Sequence, residues 1–529
     1  MGCIQSNEAA AARLPDTFLR NLSQHHEGID VFKFYKVIRE LGTGAFGVVN
    51  LVENLSTGDQ YAMKVITIGP NAKLPVLRNE INLWRGLQHP NVVRLIETYE
   101  TSSHIYMIME LCTGGHMLTA VKARKQAYPE DTVKDYIRKL TASIYYLHLK
   151  NICHRDIKLE NILYETDQEG SDIKLCECVV FLCDPEEVCL CSFGASTLFR
   201  EGVQMQTVLG SVVYMAPEFL EGHYTQACDM WSLGVVMFML LSNSMPFFGS
   251  TEEDLIECIF ESKVSFDDDV WSTVSPDAKS LIRKLLQPNV NERYTALQVL
   301  MHPWVKSAPM PTLPSQEIDR IITQLSDFAS FSRMKRAALL AVAFCSSSID
   351  TTNLRKAFDL LNVLHNGVLT LKDLEQASLI EQYPLVDFHK IFASLDIEKS
   401  NQVTFLEFVS ATMELNLQND KVLRKAYNLF SPNDAKGGIN EECLGRMLGG
   451  DFDAEAVRDM IKAADVDKDG TISYNEFVHI LNTKPVRDMS GRRSFFRNTS
   501  NSFRSLSMRK ERSKSDSGID TASTPSSRV

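Results

Sequence analysis

A multidomain α+β chain is the architecture this sequence predicts, and three observations carry it. At 529 residues the chain is too long for one hydrophobic core, and its length suggests roughly three to four domains. From Tyr35 the apolar pattern reads strand, glycine-rich turn and strand, with a helical stretch over Leu77–Leu87 after it. From about Thr352 to Asn482 four repeats of helix, polar loop and helix make a separate all-α unit. The expected divisions are a variable N-terminal segment 1–34, a mixed domain 35–304, a linker and basic helix 305–348, the helical repeats 349–485 and a tail 486–529.

Composition narrows the class. Apolar residues make up 44% and charged residues 23%, ordinary for a globular chain. The longest nearly apolar run, Met230 to Leu241, is too short to span a bilayer, which takes ~20 residues. Twelve cysteines without a secretory signal predict a reducing compartment, with free thiols. The formal charge is −12, but the tail alone carries +6, leaving −18 for the remainder. No nucleic-acid recognition module accompanies that basic tail, so nucleic acid is not an expected partner.

The first residues, Met-Gly-Cys-Ile-Gln-Ser-Asn, fit the N-myristoylation pattern at Gly2, and Cys3 beside it is placed for palmitoylation. One acyl chain holds a membrane only marginally, so the cysteine supplies the second anchor. The expected location is the cytoplasmic face of a membrane together with the cytosol.

Gly42-Thr-Gly44-Ala-Phe-Gly47-Val-Val49 lies between two strands, and Lys64 follows in Tyr61-Ala62-Met63-Lys64. Glycines there let backbone amides approach phosphates, and the lysine reaches them; a dinucleotide fold would place a helix directly after the glycines. Glu80, on the first helix, is the matching partner of Lys64, joined only when that helix swings in. Downstream, His154-Arg155-Asp156-Ile157-Lys158-Leu159-Glu160-Asn161 sets a carboxylate, a lysine and a carboxamide within eight residues. That set orients a hydroxyl, screens phosphate charge and holds a metal ion.

These residues resemble the eukaryotic protein kinases. The resemblance implies a bilobal fold with Asp156 as base, Lys158 as charge-screening group and Asn161 as a Mg2+ ligand. It implies an ATP site on Gly42, Gly44, Gly47, Val49 and Lys64, with Met109 as gatekeeper and Glu110 to Cys112 along adenine. Two departures stand out. His116 replaces the glutamate usual after Gly114-Gly115, although Glu160 remains to receive a basic substrate residue. The expected Leu-Cys-Asp-Phe-Gly is Leu175-Cys176, then residues 177–191, then Ser192-Phe193-Gly194. Serine cannot replace the ionised magnesium ligand, so the chain as written should transfer phosphate slowly.

Five cysteines fall around this segment, but their C-x-C spacing does not match the C-x₂₋₄-C of structural zinc sites. Codon choices at Glu177-Cys178 and Cys191-Ser192 permit GT and AG boundaries. Removal of the 45 nucleotides between them stays in frame and restores Asp-Phe-Gly. Residues 177–191 therefore read either as an unspliced intron or as a genuine insertion. In the segment beyond it, Ser211 is placed to bond Asp156 and Lys158, Glu218 to pair with Arg293, and Asp229 to Gly234 to form a buried helix.

After Pro309, Pro311 and Pro314, the stretch Ile318–Phe344 has helical apolar spacing with Arg333, Lys335 and Arg336 clustered on it, a target type for calcium-sensor lobes. The last repeat contains Asp465, Asp467, Asp469, Thr471 and Glu476 at the EF-hand ligand positions, with Gly470 at the turn. The second, with Asp396, Glu398, Ser400, Gln402 and Glu407, has Asn401 in place of that glycine and should bind Ca2+ more weakly. The first loop, with Leu364 at a ligand position, and the third, bounded by Pro432 and Cys443, should bind none and serve as packing partners. In the tail, R-x-x-S spacings at Arg497/Ser500, Arg504/Ser507 and Arg512/Ser515 suit an electrostatic membrane contact or a solvated disordered tail.

In this order the motifs resemble the calcium-dependent protein kinases of plants and protists, over roughly residues 35–482. The resemblance implies a monomeric enzyme using ATP, Mg2+ and Ca2+ that phosphorylates protein serine and threonine, inhibited by its own junction helix until the calcium module captures that helix. The differing expectation, which Ser192 and the insertion favour, is a catalytically impaired, calcium-responsive membrane scaffold.

Overall fold

A computed structural model describes residues 18–44, 47–69, 74–176, 181–182, 212–222, 224–346, 351–397, 399–415, 417–431, 438–449 and 453–484. Gly2, Cys3, most of 177–191, Ser192, Ser211, Glu398 and the tail lie outside these residues.

A six-stranded sheet forms the first lobe, in the order β1-β5-β6-β4-β3-β2. The strands are β1 (Gln24–Glu27), β2 (Tyr35–Gly44), β3 (Gly47–Asn54), β4 (Gln60–Thr67), β5 (Leu95–Glu100) and β6 (His104–Met109). The sheet thus begins before Tyr35: β1 pairs parallel to the β5 edge, Gln24 opposite Glu97. Helix α2 (Leu74–Arg85) buries Ile81 and Trp84 against the sheet, and the preceding helix α1 is Phe18–Leu22.

The second lobe is mainly helical. Helix α3 (Glu130–Leu149) leads to strand β7 (Ile152–Cys153) and the hairpin β8 (Ile162–Tyr164) with β9 (Ile173–Leu175). Helix α4 (Ala227–Ser242) is buried from Cys228 to Leu241, as expected of an apolar run inside a lobe rather than a membrane. No described helix is long and apolar enough to cross a membrane. Inside the expected insertion, Phe181–Leu182 forms strand β10, antiparallel to β7.

The basic stretch is two helices, not one. Helix α5 (Ser315–Phe328) ends in a turn, and Ser332 caps helix α6 (Arg333–Cys345) by accepting from the Lys335 amide. Every residue of α6 from Met334 to Cys345 is buried, chiefly against the helices Phe405–Thr412 and Asp420–Phe430. Its basic residues Lys335 and Arg336 are enclosed as well. The Lys335 ammonium lies 3.8 Å from the Phe331 ring centre and donates to the Thr483 carbonyl, and Arg336 donates to the Ser394 carbonyl at 3.3 Å. A second hydrophobic core unites α5, α6 and the repeat helices, and it also takes in Phe18, Leu19 and Leu22 of α1. Asn21 caps the far end of helix Glu441–Leu448 by donating to the Arg446 and Met447 carbonyls.

Candidate functional site

The glycine turn is set by strand register. Gly42 stands opposite Val49 and Gly44 opposite Gly47, while Val49 also faces Lys64 across β3 and β4. Gly47 has φ +132°, and a Cβ there would lie 2.0 Å from the Val65 carbonyl oxygen, so no other residue fits this return. Lys64 is buried on β4, opposite Met107.

Glu80 does not join it. Among the described residues no ion pair links the two, and burial, opposed by the charge of Arg155, pushes the Glu80 carboxyl up to about 7. Burial disfavours the charged form of a carboxyl, and here that effect outweighs the opposing Arg155 charge. The Lys64–Glu80 pairing that the sequence motif anticipates is thus not formed.

The hinge is braced by its own side chains. Glu110, expected along adenine, points its carboxylate to Lys174 Nζ at 2.8 Å and accepts from the Arg94 amide at 2.8 Å. Burial raises this carboxyl, yet Lys174 and Arg94 together hold it below the ordinary range. The Glu110 amide donates to the Arg94 carbonyl at 3.0 Å, so its carbonyl and the Cys112 amide are the groups left for a base. The Cys112 thiol faces inward, where burial and then the charge of Glu110 push it up to about 12. Met109 is the last residue of β6, opposite Ala62.

The catalytic loop is moored from behind. Asp229, fully buried, accepts from the His154 amide at 2.9 Å and the Arg155 amide at 2.8 Å, and meets His148 Nε2 at 2.8 Å. Burial raises its carboxyl, but His148 and the bonds from His154 lower it further, so the charge persists. Arg155 is held at φ +66°, a strained value for a side-chain-bearing residue, and those two amide bonds account for it.

On that mooring Asp156, Lys158 and Asn161 converge. Asn161 Nδ2 donates to the Asp156 carbonyl at 2.8 Å and to its Oδ2 at 2.7 Å, and Lys158 Nζ is 2.8 Å from the same Oδ2. With its amide nitrogen engaged, Asn161 has its side-chain oxygen left as a metal donor. Magnesium wants further oxygen ligands, and the companion position is Ser192, so the side-chain donor set fits that ion incompletely. Arg293 forks onto Glu218 at 2.5 and 2.9 Å, as the sequence anticipates. His116 caps the helix Met117–Ala123 by accepting from the Thr119 amide. One oxygen of Glu160 is buried without a hydrogen-bond partner among the described residues.

The repeats pair by loops. Leu369 bridges Val403, and Ile439 bridges Ile472, so loops one and three pack on loops two and four. In the fourth loop, carboxylate oxygens of Asp465, Asp467 and Glu476 lie within 4.8 Å of one another. Asp469 accepts from the Thr471 amide at 2.8 Å, Gly470 takes φ +88°, and Glu476 accepts from the amides of Val466 and Ser473. Although the Asp469 amide lowers the Asp467 carboxyl, slight burial and the neighbouring carboxylates raise it on balance. A divalent cation relieves that repulsion, so this donor set fits Ca2+. In the second loop Asp396 accepts from the Ser400 and Asn401 amides at 3.0 Å each, and Ser400 bonds the Gln402 carbonyl. Asn401 adopts φ +59°, doing the work of the missing glycine, and Glu407 accepts from the Ile397 and Thr404 amides.

Comparisons with known proteins agree with this geometry. The protein kinase domain model matches residues 35–305 and the EF hand domain model matches residues 456–484. The chain is 30% identical to calcium-dependent protein kinase 14 of Arabidopsis thaliana, covering 91% of each. It is 32% identical to calcium-dependent protein kinase 32 of the same plant, covering 86% of this chain and 83% of the relative. With calcium-dependent protein kinase 5 of Plasmodium falciparum (isolate 3D7) the identity is 29%, over 87% of this chain and 79% of the relative.

Proposed function

Because this chain belongs to the calcium-dependent protein kinase family, we propose that it transfers the γ-phosphate of ATP to protein serine and threonine under the control of its own helix α6. Convergence of Lys158 and Asn161 on one oxygen of Asp156 is the observation that carries the reading. Asp156 accepts the proton as the substrate oxygen forms its bond to the γ-phosphorus and the bond to the β-phosphate oxygen breaks. Lys158 offsets the negative charge gathered there, and Lys64 steadies the phosphates. Magnesium, when bound, neutralises the phosphate oxygens. Asn161 would hold it here. Glu160 in the catalytic loop would receive an upstream basic residue of the substrate.

Control by α6 is supported by its enclosure among the repeat helices. Calcium at the fourth loop favours that enclosure, and its loss frees α6 to occupy the substrate side of the kinase domain. Glu476→Gln removes the bidentate ligand, and the calcium midpoint for activation should rise at least about tenfold. An unchanged midpoint in a calcium titration of kinase activity would sink this assignment.

Anchoring at Gly2 and Cys3 places the enzyme on a membrane, with protein substrates nearby. Gly2→Ala should move it to the soluble fraction after cell fractionation; unaltered membrane association refutes the anchor. A second reading, an impaired kinase acting as a calcium-responsive scaffold, has one specific support. Strand β10 of the insertion is paired with β7, the strand that enters the catalytic loop, which suits a built-in segment.

A further inference from the structure

The first repeat has Leu364 at a ligand position yet keeps its loop glycine, Gly367. Helix α7 (Thr352–Leu361) packs its apolar side among the repeat helices, while Arg355 on it and Gly367 and Val368 of the loop meet the kinase domain. Arg355, on α7, is 8% exposed, and its guanidinium reaches three places at once. Nη2 is 3.3 Å from Glu165 Oε2 after β8, Nη1 is 3.2 Å from Asp172 Oδ2 before β9, and Nη1 donates to the Pro90 carbonyl at 3.4 Å. Asp359, one turn on, lies 3.8 Å from Arg138 of α3.

Gly367 explains the retained glycine twice. Its φ is +80°, and a Cβ there would come within 1.7 Å of His89 Nε2. His89 and Pro90 belong to the turn between α2 and β5, whose Asn91 is bonded to Ile173, Leu175 and Ser143 of the second lobe. The repeat therefore touches that turn and the β8–β9 hairpin together. The hairpin continues to the nucleotide site through Lys174, which lies 3.7 Å from Glu165 and 2.8 Å from Glu110 of the hinge.

We propose that the first EF-hand repeat has exchanged calcium binding for a docking role: it bridges the two kinase lobes across their hinge, with Arg355 as the latch. The seated repeat fixes Glu165, Lys174 and Glu110 in line, and so holds the hinge backbone ready for adenine. Its loop bonds the second loop through Leu369 and Val403, at 2.9 and 2.7 Å, which ties the latch to a calcium-binding neighbour. Only that last tie rests on the calcium-regulated reading; docking and its effect on nucleotide affinity do not require phosphate transfer.

The full-length chain tests this with a fluorescent ADP and with hydrogen exchange over residues 88–93. Arg355→Glu should weaken ADP binding on the order of tenfold and deprotect 88–93, the scale of coupling between linked sites. Glu165→Arg should do the same, and the double reversal should recover part of the affinity. Arg355→Lys keeps the charge without the fork, and an intermediate, several-fold loss is expected; it supplies the answer if the reversals fail to fold. Unchanged affinity and protection in Arg355→Glu, or in Arg355→Lys where the reversals do not fold, overturns the latch. So does a double variant no better than the worse single one.

Discussion

Deleting residues 177–191 together with Ser192→Asp should raise the phosphate-transfer rate on the order of 10²–10³-fold, since one preorganised charge-stabilising group contributes on that scale. The reason lies in the donor count. Asp156, Lys158 and Asn161 are already within hydrogen-bonding distance of one another, so the base and one metal oxygen exist before any change. What the chain as written lacks is an ionised carboxylate at position 192. Equal rates for both forms, in a peptide assay with radiolabelled ATP, would show that the serine and the insertion carry no such handicap.

Asp229→Ala should be strongly destabilising, lowering the stability of the kinase domain by roughly 3–5 kcal/mol, because each donor left without its acceptor costs about 1–3 kcal/mol. Three groups lose their acceptor: His148 Nε2 and the amides of His154 and Arg155. Transfer should fall as well, since Arg155 at φ +66° loses the bonds that hold it and Asp156 follows directly. All four tryptophans lie between residues 84 and 304, so urea unfolding followed by their fluorescence reports this domain. A loss below about 1 kcal/mol, the worth of one ordinary hydrogen bond, would contradict the mooring.

The chemistry was legible where it is local. The spacing from His154 to Asn161 and from Asp465 to Glu476 sets ligands through short backbone turns, and both loops close as their spacing implies. Side chains whose orientation depends on distant partners were not legible. Glu110 faces Lys174, 64 residues away, and Arg336 is enclosed by the Ser394 carbonyl, 58 residues away. Which groups enclose a basic cluster therefore becomes visible only once its covering helices are in place. Likewise Gln-His-His-Glu at 24–27 has little strand character of its own and is a strand because β5 presents an edge beside it. Glu80 shows the same limit: its position along α2 was readable, and the lack of a pairing with Lys64 was not.

The most direct test of calcium-controlled phosphate transfer is the initial rate on a serine peptide, for the written chain and the shortened Ser192→Asp form, with calcium and with chelator. The account predicts fast transfer only by the shortened form in calcium, with a fall on the order of tenfold or more when calcium is removed, the scale of a coupled regulatory site. A shortened form equally fast in chelator would contradict it.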